Sequence, residues 1–126
     1  MTDAIEQFLE EVPVLERVIP IAHTVYIDGG GRTVVCSLEL WSNGVVIRDA
    51  DVAQGRPEAQ LDSPLNYFQV SDDLGTEYQM RGSGSGGGEN MRLGQTTFKP
   101  AVSDGAKVLR ITVPRCDGPP LEVSLA

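Results

Sequence analysis

The sequence predicts an all-β protein, an antiparallel β-sandwich of about eight strands preceded by a short α-helix. Three observations predict it. Apolar and polar residues alternate in short runs through most of the 126 residues, the period expected of half-buried strands. Clusters of Gly, Asn and Asp separate those runs at short intervals. In Phe68-Gln-Val-Ser-Asp-Asp-Leu-Gly-Thr-Glu-Tyr78 the acidic turn Asp72-Asp73-Leu74-Gly75 lies between two such runs and reads as a β-hairpin. Phe68 and Val70 share a face before that turn, and Tyr78 and Met80 share one after it.

The helix is expected over residues 1–13, ahead of a sandwich domain over residues 14–126. Asp3-Ala-Ile-Glu6 fits a capping box, Ile5, Phe8, Leu9 and Val12 recur at helical spacing, and Pro13 stops the pattern. So short a helix is marginal alone and must dock on the sandwich or on a partner. The period then changes to two. Val14–Ile21 and Thr24–Ile27 read as strands, and Asp28-Gly-Gly-Gly31 as a turn.

Thr33–Trp41 and Val45–Arg48 form the next hairpin. Asn43-Gly44 is the favoured pair for a two-residue type I′ loop. With those residues at the tip, Trp41 opposes Val46, Leu40 opposes Ile47 and Glu39 opposes Arg48. One face then carries the Trp41/Val46 and Glu39/Arg48 pairs, and the other carries Cys36, Leu38, Leu40, Val45 and Ile47. Residues 49–65 hold two prolines and lack periodicity, so they read as a long surface connection. Gly82-Ser-Gly-Ser-Gly-Gly-Gly88 reads as a flexible tip, too mobile to hold a site. Met91–Phe98, Ala106–Val113 and Leu121–Leu125 complete the strands, with Leu109/Ile111/Val113 and Leu121/Val123/Leu125 in clean alternation.

Composition excludes some functions. Eighteen acidic against ten basic residues give a net charge of −8, and the basic ones are scattered. Nucleic-acid binding is not expected of such a surface, because neutralising phosphates takes clustered Lys and Arg. No apolar run approaches the roughly 18 residues needed to cross a bilayer, so membrane insertion is not expected. The opening residues lack the basic and apolar pattern of a secretory leader, which makes cytoplasmic the expected location. Cys36 and Cys116 are then expected as free thiols, with Cys36 buried in phase with Leu38 and Leu40.

Chemistry has few candidates. The single histidine, His23, would have to serve any Ser-His or Cys-His site, and no nucleophile-elbow serine accompanies it. One histidine and two distant cysteines offer no zinc-chelating spacing. Carboxylates are abundant: Asp72, Asp73 and Glu77 could converge at one turn, and Asp49 and Asp51 sit at the end of another strand. Calcium favours such oxygen clusters, although the D-x-[DN]-x-[DN]-G spacing is missing and turn aspartates commonly bond their own backbone. The glycine-rich segments precede strands and lack a P-loop lysine. No active site and no cofactor are expected.

Trp41 is the strongest interaction signal. The expected register puts it with Val46 on the face away from Leu40 and Ile47, rimmed by Glu39 and Arg48. Two readings fit: cover by the helix or the 49–65 connection, or the centre of a partner-binding surface.

The run Asp72-Asp-Leu-Gly-Thr, with Tyr78 two residues on, a glycine-rich excursion, Thr97-Phe-Lys-Pro-Ala101 and Val108-Leu-Arg-Ile-Thr-Val-Pro114 carry a resemblance. Residues 14–125 resemble small immunoglobulin-like sandwich domains of actinobacterial proteins. They are more loosely similar to the bacterial immunoglobulin-like family that includes a small secreted mycobacterial antigen. The resemblance implies an immunoglobulin-like sandwich with a binding or structural role and no transferable catalytic residues. The expected function is a non-enzymatic protein-interaction or structural module, with a protein partner or self-association through Trp41, Val46, Glu39 and Arg48. The alternative is a domain binding calcium or carbohydrate through Asp72, Asp73 and Glu77.

Overall fold

Leu38 and Ile47 lie side by side on adjacent paired strands, both fully buried, and the core is built around them. The computed structural model describes residues 12–27, 31–52, 67–88, 90–114 and 118–126. These form β1 (Leu15–Ile27), β2 (Gly31–Trp41), β3 (Gly44–Val52), β4 (Gln69–Asp72), β5 (Gln79–Gly87), β6 (Met91–Lys99), β7 (Val108–Thr112) and β8 (Leu121–Ser124). Two antiparallel sheets result, one ordered β1-β2-β3-β6-β5 and the other β4-β7-β8. No helix occurs among the described residues. The helix expected over residues 1–13 lies outside them, except for Val12 and Pro13, which are not helical.

The period-two pattern builds the core. Val35, Leu38, Val45, Ile47 and Phe98 from the large sheet meet Leu109, Ile111 and Val123 from the small one, with Phe68 and Val113 completing the cluster. Burying each large aliphatic side chain contributes about 2 kcal/mol. That gain fixes which face of each strand turns inward, and the two sheets share one sandwich-like core. The large sheet is the wider one, with β1 and β5 at its edges, and Ile19, Ile21 and Val25 of β1 pack against the core. Every residue of β5 is exposed.

Four expectations need correction. The run from Phe68 to Met80 is not a hairpin: β4 pairs with β7, whereas β5 pairs with β6 in the other sheet. The acidic turn is therefore a crossover between layers. The glycine-rich segment after Arg81 is strand, because β6 supplies it with a paired neighbour through Gly87. Val14–Ile21 and Thr24–Ile27 form the single strand β1, interrupted by a bulge between Pro20 and His23 where Ala22 takes φ 52°. Cys36 falls at a matching irregularity between Val35 and Ser37 and is exposed, because that extra residue breaks its phase with Leu38.

The β2–β3 register also differs. The loop is Ser42-Asn43, and Trp41 opposes Gly44, Leu40 opposes Val45, Glu39 opposes Val46 and Leu38 opposes Ile47. Gly44 is needed in the strand: a Cβ there would collide with the Phe98 carbonyl oxygen on β6. Neither Ser42 nor Asn43 has a positive φ, so the loop is not type I′. Ser42 anchors the chain start instead, donating its N–H to the Val14 carbonyl and accepting the Val14 N–H on its hydroxyl, both at 2.9 Å. The slip moves each pair by two positions, so every side chain keeps its face.

A candidate partner-binding face on the large sheet

Because the slip is even, Glu39, Trp41, Val46 and Arg48 still share the outward face of the five-stranded sheet. One row across it runs Val18–Glu39–Val46–Thr97, and the next runs Pro20–Ser37–Arg48–Gln95. Trp41 lies beyond the first row, opposite Gly44.

Glu39 organises this surface. Trp41 Nε1 donates to its Oε1 at 3.0 Å, Arg48 Nε donates to Oε2 at 2.5 Å, and Arg48 Nη2 reaches Oε1 at 3.4 Å. Arg48 Nη1 also donates to Gln95 Oε1 at 2.9 Å, which ties β3 to β6. The carboxylate is only 9% exposed under these donors. The Arg48 hydrogen bond holds it below the usual carboxylate range, with the Trp41 bond helping, against the opposing effect of burial. Trp41 and Val46 are half-buried, and Val18 in the same row is 50% exposed. Aromatic and guanidinium groups are thus pre-positioned beside Val18 and Val46 by one buried acceptor, a pairing common at binding hot spots. Beside Arg48 a shallow cleft of about 400 Å³ is lined by Cys36, Ser37, Asp49, Gly84, Gly94 and Gln95. Burial, and then the charge of Asp49, push the Cys36 thiol up, which disfavours its reactive thiolate.

The acidic turn is built differently. Asp72 is 6% exposed, and its Oδ1 accepts the N–H groups of Leu74 at 2.9 Å and Thr76 at 3.0 Å. Its Oδ2 accepts the Tyr78 hydroxyl at 2.8 Å. Burial alone would raise this acid; the donors from Thr76, Tyr78 and Leu74 outweigh it and hold the carboxylate low. Gly75, at φ 78°, supplies the left-handed residue that curls the backbone toward that acceptor. Asp73 Oδ1 accepts the N–H groups of Lys107 and Val108 at 2.9 and 3.3 Å, joining the crossover to the start of β7. Glu77 is exposed, and no described hydrogen bond joins it to Asp72 or Asp73. Both aspartates hold backbone, and a cation there would have to displace those bonds.

His23 is exposed on β1, in register with Val35. It lines a cleft of about 450 Å³ with Thr24, Pro119, Pro120 and Glu122. No described hydrogen bond gives it a nucleophile or an orienting carboxylate. Cys116 lies outside the described residues. Asp51 lies at the end of β3, which continues to Val52, but Asp49 lies within the strand. Asp49 occupies a buried position between β2 and β6. The sequence signal that could have found it was the unbroken alternation Val45–Ile47–Asp49–Asp51, which carries two acids onto a core-facing register. Comparison of the chain with protein-family models, with curated proteins and with solved structures found no match.

Proposed function

We propose that this protein is a non-enzymatic interaction module that binds a protein partner, or a second copy of itself, through the outward face of its five-stranded sheet. The observation that carries the reading is the Glu39-centred network. One buried carboxylate holds Trp41 and Arg48 in place beside exposed Val18 and half-buried Val46. A surface ordered before binding loses less side-chain entropy on association, and a desolvated aromatic–arginine centre is where binding energy concentrates.

The strand order supports an immunoglobulin-like assignment. In a constant-type immunoglobulin sandwich the sheets are ordered A-B-E-D and C-F-G. Here β2-β3-β6-β5 and β4-β7-β8 follow the same order when β2 is taken as the first strand. β1 is then an additional edge strand beside it. Fold likeness alone carries no function, so the functional reading rests on the Trp41 face.

The test is Trp41→Ala, with Arg48→Ala as a second probe of the same face. Both variants are expected to fold, by circular dichroism and thermal melting, and to lose concentration-dependent self-association or capture of the native partner. If Trp41→Ala unfolds the chain, the indole is core and the reading fails. It fails equally if both variants fold and associate like the parent protein.

A further inference from the structure

Asp49 sits in the middle strand of the five, in register with Val35 of β2 on one side and Gly94 of β6 on the other. Strand alternation puts its side chain on the face of Val45 and Ile47, and it is 8% exposed. The carboxylate lies against the Gly94 backbone, in the space where another residue would carry a side chain: a Cβ at Gly94 would be 2.9 Å from Oδ1. No described donor bonds either oxygen. Thr33 Oγ1, in the adjoining row toward Asp51, donates to Asp51 Oδ1 at 2.6 Å.

The charged and titratable groups around it offer no compensation. On its own strand Asp51 follows two residues on, on the same face, and Arg48 turns to the opposite face toward Glu39. On β2 the titratable neighbour is Cys36, and on β1 His23 lies beyond Val35. On β6 Arg92 is in register with Asp51, one row further along. The facing residues of the small sheet, Leu109, Ile111, Val113 and Val123, are apolar, while Arg110 pairs with exposed Glu122.

We propose that Asp49 is a protonation switch built into the sheet, accommodated as a neutral acid and loosening the β3–β6 pairing around Gly94 when it ionises. The neutral form needs little hydration, whereas an unpaired buried carboxylate is strongly disfavoured. Burial, and secondarily the charge of Asp51, raise the acid to about 7 from an ordinary 3.8. The folded protein therefore holds a proton that the unfolded chain releases between those values. Stability from this group is undiminished below pH 3.8, falls as pH rises, and is fully lost above pH 7. Over that window the unfolding equilibrium constant is expected to rise by about a thousandfold from this group.

Two measurements test the switch. Carbon-13 NMR of the side-chain carboxyl in the parent protein should show Asp49 titrating near neutrality, and a midpoint near 4 overturns the proposal. Denaturation at pH 5 and pH 8 should show the parent unfolding far more readily at pH 8. Asp49→Asn, which keeps the shape and removes the charge, should flatten that difference. An unchanged pH dependence in a folded Asp49→Asn protein also overturns the proposal. Amide exchange at Asp49 and Gly94 should accelerate with pH beyond its chemical rate, and uniform protection there would contradict local loosening. If Asp49→Asn fails to fold, the carboxyl titration of the parent decides alone.

Discussion

Asp72 and Asp49 expose similar fractions of their surface, 6% and 8%, and yet their carboxyls are shifted in opposite directions from the ordinary value. Asp72 ends β4, where the chain leaves one sheet for the other and backbone N–H groups are released from ladders. Leu74, Thr76 and Tyr78 turn their donors onto it. Asp49 sits in a strand paired on both sides, where neighbouring N–H groups are consumed by the β2 and β6 ladders. Burial pushes both acids upward, and only the crossover has free donors to reverse it. Asp49 lies deeper among protein atoms and has no donor, whereas Asp72 meets released backbone donors, and the two differences together set the acids apart.

The largest break in this comparison is Asp72→Ala. It leaves two backbone donors and a phenol without their acceptor at a crossover linking the two sheets. A loss of about 3 kcal/mol at pH 7 is expected, read by chemical denaturation. Asp72→Asn keeps part of the acceptor set and is expected to lose less. The pH dependence has the opposite sign to that of Asp49. Asp72 is held below its ordinary range, so its contribution is present above the unfolded value and lost as acid protonates the folded carboxylate. The parent protein should therefore weaken on both sides of a mildly acidic optimum. Asp72→Asn should remove part of the acid limb, and Asp49→Asn the limb toward neutrality.

Gly94→Ala sharpens the other half. The new Cβ would come within 2.9 Å of Asp49 Oδ1 and within 3.4 Å of its other carboxyl atoms, and the short side chain has little room to swing away. Overpacking of this kind costs about 2 kcal/mol. Truncating the acid in the same molecule should recover much of the loss, so a double-mutant cycle of Gly94→Ala with Asp49→Ala should show strong coupling. Additive losses would mean that the carboxylate does not rest on Gly94.

The sequence carried the layers better than the pairings. Leu109, Ile111, Val113 and Val123 alternate and are core, as their period required. The shared face of Glu39, Trp41, Val46 and Arg48 was legible too, because side-chain direction has period two and survives a register slip of two. Register itself was not legible. Asn43-Gly44 is a strong loop signal, but the approach of Phe98 reserves Gly44 for the strand, and that approach depends on residues 54 positions away. The same limit hid the crossover after β4, since an acidic turn between alternating runs has one local pattern whether its arms pair with each other or with different sheets. Cys36 was misplaced by an extra residue that only the pairing with β3 reveals. Asp49 read as a loop carboxylate because the strand's continuation to Val52 comes from its pairing with β6, not from its own residues.

The smallest and most specific change is Tyr78→Phe. It removes one hydroxyl that donates to Asp72 Oδ2 at 2.8 Å and leaves the ring, which packs against the core, in place. The two backbone donors to Oδ1 remain, so the crossover should persist with a loss of about 1 kcal/mol at pH 7. Burial and then the bond to Asp72 raise the Tyr78 phenol, so the hydroxyl stays a donor throughout the neutral range. Losing it should move Asp72 toward its ordinary value and bring the acid limb in at higher pH. In an Asp72→Ala background the same substitution should cost almost nothing, because the phenol no longer has its acceptor. If Tyr78→Phe costs the same in both backgrounds, the hydroxyl acts elsewhere, and the account of Asp72 as a carboxylate held low by three converging donors would lose one of them.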